Sequence, residues 1–274
     1  MCTVTLIPVG GDAAAGGSGG DAARGWRLAC NRDEQRTRKR GQPPRVMSIG
    51  GGRRAIMPID PESDGTWIGV NDMGLAAVLL NANVETLDRR PAWRVRDGVA
   101  ADEPRRSRGG IVPAILACDD LPHVEAWLDQ FNPQLYPPFR LMACHGGQLL
   151  QAWSDGTCLA TSNRAWDSPI MLTSSGLGDA VVEPPRRGLF RQMFDCPPAR
   201  WPEAQDAFHR HRFAGQPHLS VNMSRADART VSLTVIECDG TTAVMTYHGA
   251  APDAPTAREH RVELALPRPV EAMR

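Results

Sequence analysis

Cys2 and the tetrad Asn31-Arg32-Asp33-Glu34 are the residues of this chain whose types and placement could do chemistry. Removal of the initiator methionine would leave Cys2 with a thiol and a free α-amine on one residue. An α-amine has a pKa of about 8, so part of it is neutral near pH 7 and can take the thiol proton. Nucleophile and base would then come from one residue, the arrangement of an N-terminal nucleophile. The alternative is an ordinary buried cysteine, since free cysteine packs as a small apolar side chain. The tetrad directly follows the apolar run Trp26-Arg27-Leu28-Ala29-Cys30. Read by itself, it is a solvated strand end with a turn.

The elements that must position these residues are short and β-rich in the first third. Residues 2–9 read as a strand, followed by a glycine-rich loop over about 10–25 and a second strand over 26–30. Two strands joined this way suggest an antiparallel pair with the tetrad at its end. A third run lies at 55–59 after a Pro/Arg-rich stretch. Gly65 to Asn71 and Gly74 to Asn81 read as a hairpin turning at Asn71-Asp72-Met73-Gly74. Leu75 to Leu80 is apolar throughout, as a strand buried on both faces would be.

Apolar spacing of three and four residues predicts helices over 109–118 and 122–131, the second started by Pro122 after Asp119-Asp120. Strands are expected at 139–145, 148–153, 157–162 and 170–174. Helices follow at 186–194 and 202–213, then a hairpin over 231–238 and 242–247 and a peripheral tail over about 252–274. Strands, then helices, then strands without βαβ alternation indicate an α+β fold, read as one domain over 1–274.

The 274 residues carry no formal net charge, which points to neither nucleic acid nor an anionic membrane surface. The clusters Arg36-Thr37-Arg38-Lys39-Arg40 and Arg105-Arg106-Ser107-Arg108 read as solvated loops. No apolar run is long enough to span a bilayer, and no leader pattern is present, so the expected location is cytoplasmic. Seven scattered cysteines with no C-x-x-C pair argue against a disulfide framework and a structural zinc site. No metal is expected.

Met-Cys at the start, the Asn-Arg-Asp-Glu tetrad, and Gly65-Thr66-Trp67-Ile68-Gly69-Val70-Asn71 followed by Gly74-Leu75 together resemble the NRDE family. That is the family of the eukaryotic transport and Golgi organisation 2 protein and its bacterial relatives. Ser174 to Asp179, the run Pro184-Pro185-Arg186-Arg187-Gly188, and Arg225 to Ser232 look like its later segments. The hairpin through Asn71 to Asn81 is also distantly similar to the cysteine N-terminal-nucleophile hydrolases of the choloylglycine and penicillin V acylase group. This likeness implies a four-layer αββα sandwich. It implies Cys2 as nucleophile, Asn81 as oxyanion donor, and Arg32 with Asp33 or Glu34 organising the amine and thiol. Asn31, Glu34, Trp67, Asn71 and Ser174 would contact substrate. Ser174 stands where those hydrolases have an asparagine, and their late arginine has only loose counterparts in Arg225 and Arg229.

Two functional readings follow, besides a purely structural one in which Cys2 and the tetrad only stabilise the fold. One is a cysteine amidohydrolase or acyltransferase acting on a small amide or acyl-thioester, with no cofactor required. The other is a non-catalytic carrier of haem or acyl-CoA/lipid, with the Arg36 to Arg40 run serving the latter. His209 and His211 are two apart on a predicted helix and cannot form a joint haem ligand pair.

Overall fold

The computed structural model describes residues 2–10, 25–83, 93–100, 103–252 and 258–267. Met1, most of the glycine-rich loop, and residues 253–257 and 268–274 of the expected tail lie outside that set. Among the described residues, fourteen strands form two antiparallel sheets. The first holds β1 (Cys2–Val9), β2 (Gly25–Gln35), β11 (Ile170–Thr173), β12 (Ala228–Cys238), β13 (Thr242–His248) and β14 (Glu259–Ala265), in the order β11-β1-β2-β12-β13-β14. The second holds β3 (Gln42–Ser48), β4 (Arg54–Ile59), β5 (Ile68–Asn71), β6 (Ala76–Asn81), β7 (Arg94–Asp97), β8 (Phe139–His145), β9 (Gln148–Ser154) and β10 (Cys158–Ala165).

Alternation along each strand sends successive side chains to opposite faces. Cys2, Val4, Leu6, Leu28 and Cys30 of the first sheet meet Ile56, Val70, Val78, Leu80 and Met142 of the second in one inter-sheet core. The other face of the second sheet, with Met57, Leu75, Ala77 and Leu141, is covered by α1 (Ile111–Leu116) and α2 (Leu121–Gln130). The other face of the first sheet, with Ile7 and Met171, is covered by α3 (Asp179–Phe194) and α4 (Trp201–Arg210). The layers are therefore helix, sheet, sheet, helix, the expected αββα sandwich. Leu75 to Leu80 is buried on both faces because β6 lies between the inter-sheet core and α1.

Two expectations are corrected and one strand is added. The second strand does not stop at Cys30; it runs to Gln35 because β12 pairs with it through Gln35, and this buries the first three tetrad residues. The Pro/Arg-rich stretch contains an edge strand, β3, where Pro43 and Pro44 fall at a register shift. An edge is where proline's missing donor is tolerated. The helix expected from Arg186 starts at Asp179 and carries Pro184 and Pro185 inside it. Asp179 fixes that start by accepting from the Ser175 N–H at 2.9 Å and pairing with Arg140 at 3.1 Å.

Candidate active site

Cys2 opens β1, which sits between β11 and β2, and its register partner on β2 is Arg32. The residue is 4% exposed. It lies at an open cleft of about 280 Å³ whose walls include Arg32, Glu34, Arg38, Asp60, Trp67, Asn81 and Arg108. Ser174, just past β11, holds the Cys2 main chain from both sides. Its N–H donates to the Cys2 carbonyl at 2.9 Å, and its hydroxyl accepts from the Cys2 nitrogen at 3.4 Å.

The surroundings favour the Cys2 thiolate. The Cys30 thiol beside it donates toward its sulfur and holds it below the ordinary thiol range; burial opposes this, and the Arg32 guanidinium assists. Cys30 is pushed well above the ordinary range by the same contact and by its burial. The two thiols thus divide into one ready to ionise and one that keeps its proton.

Arg32 stacks over Trp67 at 4.2 Å and pairs with Asp60 at 2.9 Å and Glu34 at 3.5 Å. Arg38 shares Asp60 at 2.8 Å. Arg108 reaches the cleft because the 60–66 loop packs against the turn that carries it. Thr66 N–H donates to the Gly109 carbonyl at 3.1 Å. A Cβ on Gly65 would sit 2.4 Å from that carbonyl oxygen, so the close approach needs glycine there. The Gly65-Thr66-Trp67 motif thus serves to bring wall and turn together.

The tetrad is split between two faces of β2. Arg32 and Glu34 line the cleft. Asn31 does not: its amide donates to the carbonyls of His209 at 2.8 Å and Val221 at 3.0 Å, bolting α4 to the sheet. Asp33 is buried on that same helix-facing side. It accepts from the Thr230 hydroxyl at 2.6 Å and stands 4.0 Å from Arg186. Burial pushes its carboxyl up, and the Arg186 charge partly offsets this.

Asn71 is also away from the cleft. Its amide donates to the carbonyls of Leu116 and Cys118, and its oxygen accepts from the N–H groups of Met73 and Leu75. It closes the hairpin turn and anchors α1, so the expectation that Asn31 and Asn71 touch substrate is corrected by where their side chains go. Trp67, Glu34, Arg32 and Asn81 do meet Cys2 around one cleft, and Ser174 touches the Cys2 main chain. Among the described residues, the Asn81 side chain makes no hydrogen bond.

Sequence reasoning missed Arg186, which is 0% exposed. Its Nη1 donates to the hydroxyls of Thr3 at 2.7 Å and Thr173 at 2.8 Å, and Nη2 to the Ser220 carbonyl at 2.6 Å. It therefore clamps the two strands that hold Cys2 and Ser174. A signal existed: Val182, Arg186, Phe190 and Phe194 recur every four residues and are all buried, an arginine within an apolar stripe. Arg225 instead pairs with the exposed Asp227 at 2.8 Å, and Arg229 is exposed on β12. Of the Arg36 to Arg40 run only Arg38 lines the cleft; Arg36 donates to the Arg225 carbonyl.

No described helix is long and apolar enough to cross a membrane, and among the described residues no three His, Cys, Asp or Glu side chains gather as metal ligands. His209 is committed to Thr5 at 2.7 Å and Asn31 at 3.2 Å, away from the cleft. His145 is bonded to the Met73 carbonyl. Cys2 is thus the only soft donor among the cleft-lining residues.

The family model described as Transport and Golgi organisation 2 matches residues 26–189, more than half of the chain. No curated protein matches it. Solved structures similar to it include a variant of the conjugated bile acid hydrolase from Clostridium perfringens, at 10% identity and a TM-score of 0.49, covering 100% of both chains. A second variant of that hydrolase matches at 11% identity and a TM-score of 0.47, over 94% of this chain and 92% of the other.

Proposed function

The chain belongs to the Transport and Golgi organisation 2 family, and from that premise and the geometry of the cleft we propose that it is a cysteine N-terminal-nucleophile enzyme, an amidohydrolase or acyltransferase acting on a small amide or acyl-thioester. The observation that carries this reading is the environment of Cys2. Its thiol is held below its ordinary value at the cleft, and its nitrogen rests on the Ser174 hydroxyl, where an uncovered α-amine would be oriented.

In the proposed reaction the Cys2 thiol gives its proton to the neutral α-amine, and the resulting thiolate adds to the substrate carbonyl carbon, whose C=O π pair moves onto oxygen. Asn81, whose amide lies at the cleft wall, donates to the developing oxyanion. Collapse expels the amine or thiol, which takes the proton from the α-ammonium. Water or an acceptor then releases the acyl group from Cys2. Arg32 holds the thiolate side of the cleft, and Glu34 is the carboxylate facing it. The same reading puts the protein in the cytoplasm, where its seven cysteines stay reduced.

The test is the intact mass of untagged protein, before and after brief treatment with limiting iodoacetamide near pH 7, followed by peptide mapping. Loss of Met1 with labelling at Cys2 ahead of the partly exposed Cys118 and Cys196 is expected. Retained Met1 would remove the amine and end the proposal. Attention would then turn to the carrier reading, with haem and acyl-CoA titrations; there Cys2 would be the haem ligand, and Arg38 and Arg108 would face the acyl-CoA phosphates.

A further inference from the structure

We infer that the cleft carries a subsite for a single carboxylate, formed by Arg108 and the free edge of Arg32, so that the molecule it takes is a monoanionic acyl compound. The inference deepens the proposed function by naming the charge of its substrate.

Three arginines line the cleft, against two carboxylates, Glu34 and Asp60. Asp60 already serves both Arg32 and Arg38, and Arg38 further pairs with Glu34 and Glu62 at 3.6 Å. Arg108 has no ion pair among the described residues; its one hydrogen bond goes from Nη1 to the Pro138 carbonyl at 2.6 Å. Burial without such a pair holds its guanidinium below the ordinary value, with Glu34 exerting a weaker pull in the other direction. A partly buried guanidinium facing a cleft with most of its donors unused is a carboxylate receptor in want of a carboxylate.

A second observation is independent of Arg108. Arg32 has 5% of its side chain exposed, and its buried Nη1 has no hydrogen-bond partner among the described residues. The buried Nε1 of Trp67, on the same cleft, also lacks one. Leaving buried donors unmade is costly, and a ligand that accepts from them removes that cost. Among the lining side chains other than Cys2, three guanidiniums stand against two carboxylates, which leaves one positive charge uncompensated. A carboxylate matches it, whereas a pyrophosphate would bring excess negative charge beside Glu34 and Asp60.

The experiment uses Cys2→Ala protein, which binds without turnover, titrated calorimetrically with N-acetylglycine, its neutral counterpart N-acetylglycinamide, and pyrophosphate. N-acetylglycine is expected to bind at least about tenfold more tightly than the amide. That preference should vanish in Cys2→Ala/Arg108→Gln and persist in Cys2→Ala/Arg108→Lys. Equal binding of acid and amide, no saturable binding of the acid, or tighter binding of pyrophosphate would each overturn the subsite. Because Cys2 is absent from this protein, failure here leaves the nucleophile standing. Failure of the Cys2 labelling test equally leaves the carboxylate subsite standing.

Discussion

Ser174 and Cys2 hold each other through a reciprocal pair of contacts, one from the Ser174 N–H to the Cys2 carbonyl at 2.9 Å and one from the Cys2 nitrogen to the Ser174 hydroxyl at 3.4 Å. The first belongs to the main chain and survives any side-chain change; the second depends on the hydroxyl. Ser174→Ala should therefore cost only about 1 kcal/mol of stability while lowering the alkylation rate of Cys2 several-fold. Thermal unfolding and timed labelling of the same sample check both halves.

The Cys30 thiol sits beside Cys2 and lowers its pKa. In Cys30→Ala that stabilisation of the thiolate is gone, while burial still disfavours the charged form. The pH midpoint of Cys2 alkylation should move upward relative to wild type. A midpoint that stays in place would mean that the N-terminal charge and Arg32, not Cys30, set the thiolate.

Among the described residues the Asn81 side chain at the cleft wall has no hydrogen-bond partner, so replacing it should not disturb the fold. Asn81→Ala is expected to unfold within about 0.5 kcal/mol of wild type. If its amide meets the oxyanion, kcat falls by about 100- to 1000-fold with KM little changed. Steady-state kinetics on the first accepted amide or thioester decides.

Arg186 is a buried cation with donors to Thr3, Thr173, Leu219 and Ser220 and with Asp33 close by. Arg186→Leu removes the positive charge beside the buried Asp33 carboxylate and the donors to four acceptors, and the expected loss is about 3–5 kcal/mol in chemical denaturation. Arg186→Lys should recover only part of it, because one ammonium cannot reach partners that the guanidinium fork spans.

His209 is buried between Thr5 and Asn31, and burial lowers its pKa to about 3. In the unfolded chain its value returns to about 6.5. Between those limits the unfolded state binds the extra proton, so stability present above pH 6.5 is lost as pH falls toward 3. The slope approaches about 1.4 kcal/mol per pH unit. His209→Gln should flatten that limb of the stability curve measured by urea unfolding from pH 7 to pH 4.

Residue chemistry and periodicity along the chain were enough for much of this molecule. The opening strand, the hairpin turning at Asn71 to Gly74, and helices near 111–116 and 121–130 are written in local patterns that do not need distant partners. Cys2 stands out by its type and its place behind the initiator methionine, whereas Arg32, Glu34, Trp67 and Asn81 enter as site candidates through the family likeness. Which of them share a cleft is a different kind of information. Strand β2 extends through the tetrad only because β12, nearly 200 positions away, pairs with it, and that pairing fixes the alternation that sends Arg32 and Glu34 inward to the cleft and Asn31 and Asp33 outward to the helices. Arg186 and Arg108 acquire their roles in the same way, one by helical packing under β1 and the other by the contact of Gly65 with Gly109. Local sequence sets what a side chain can do; long-range register and packing set what it faces, because a one-residue shift in a strand exchanges the two faces.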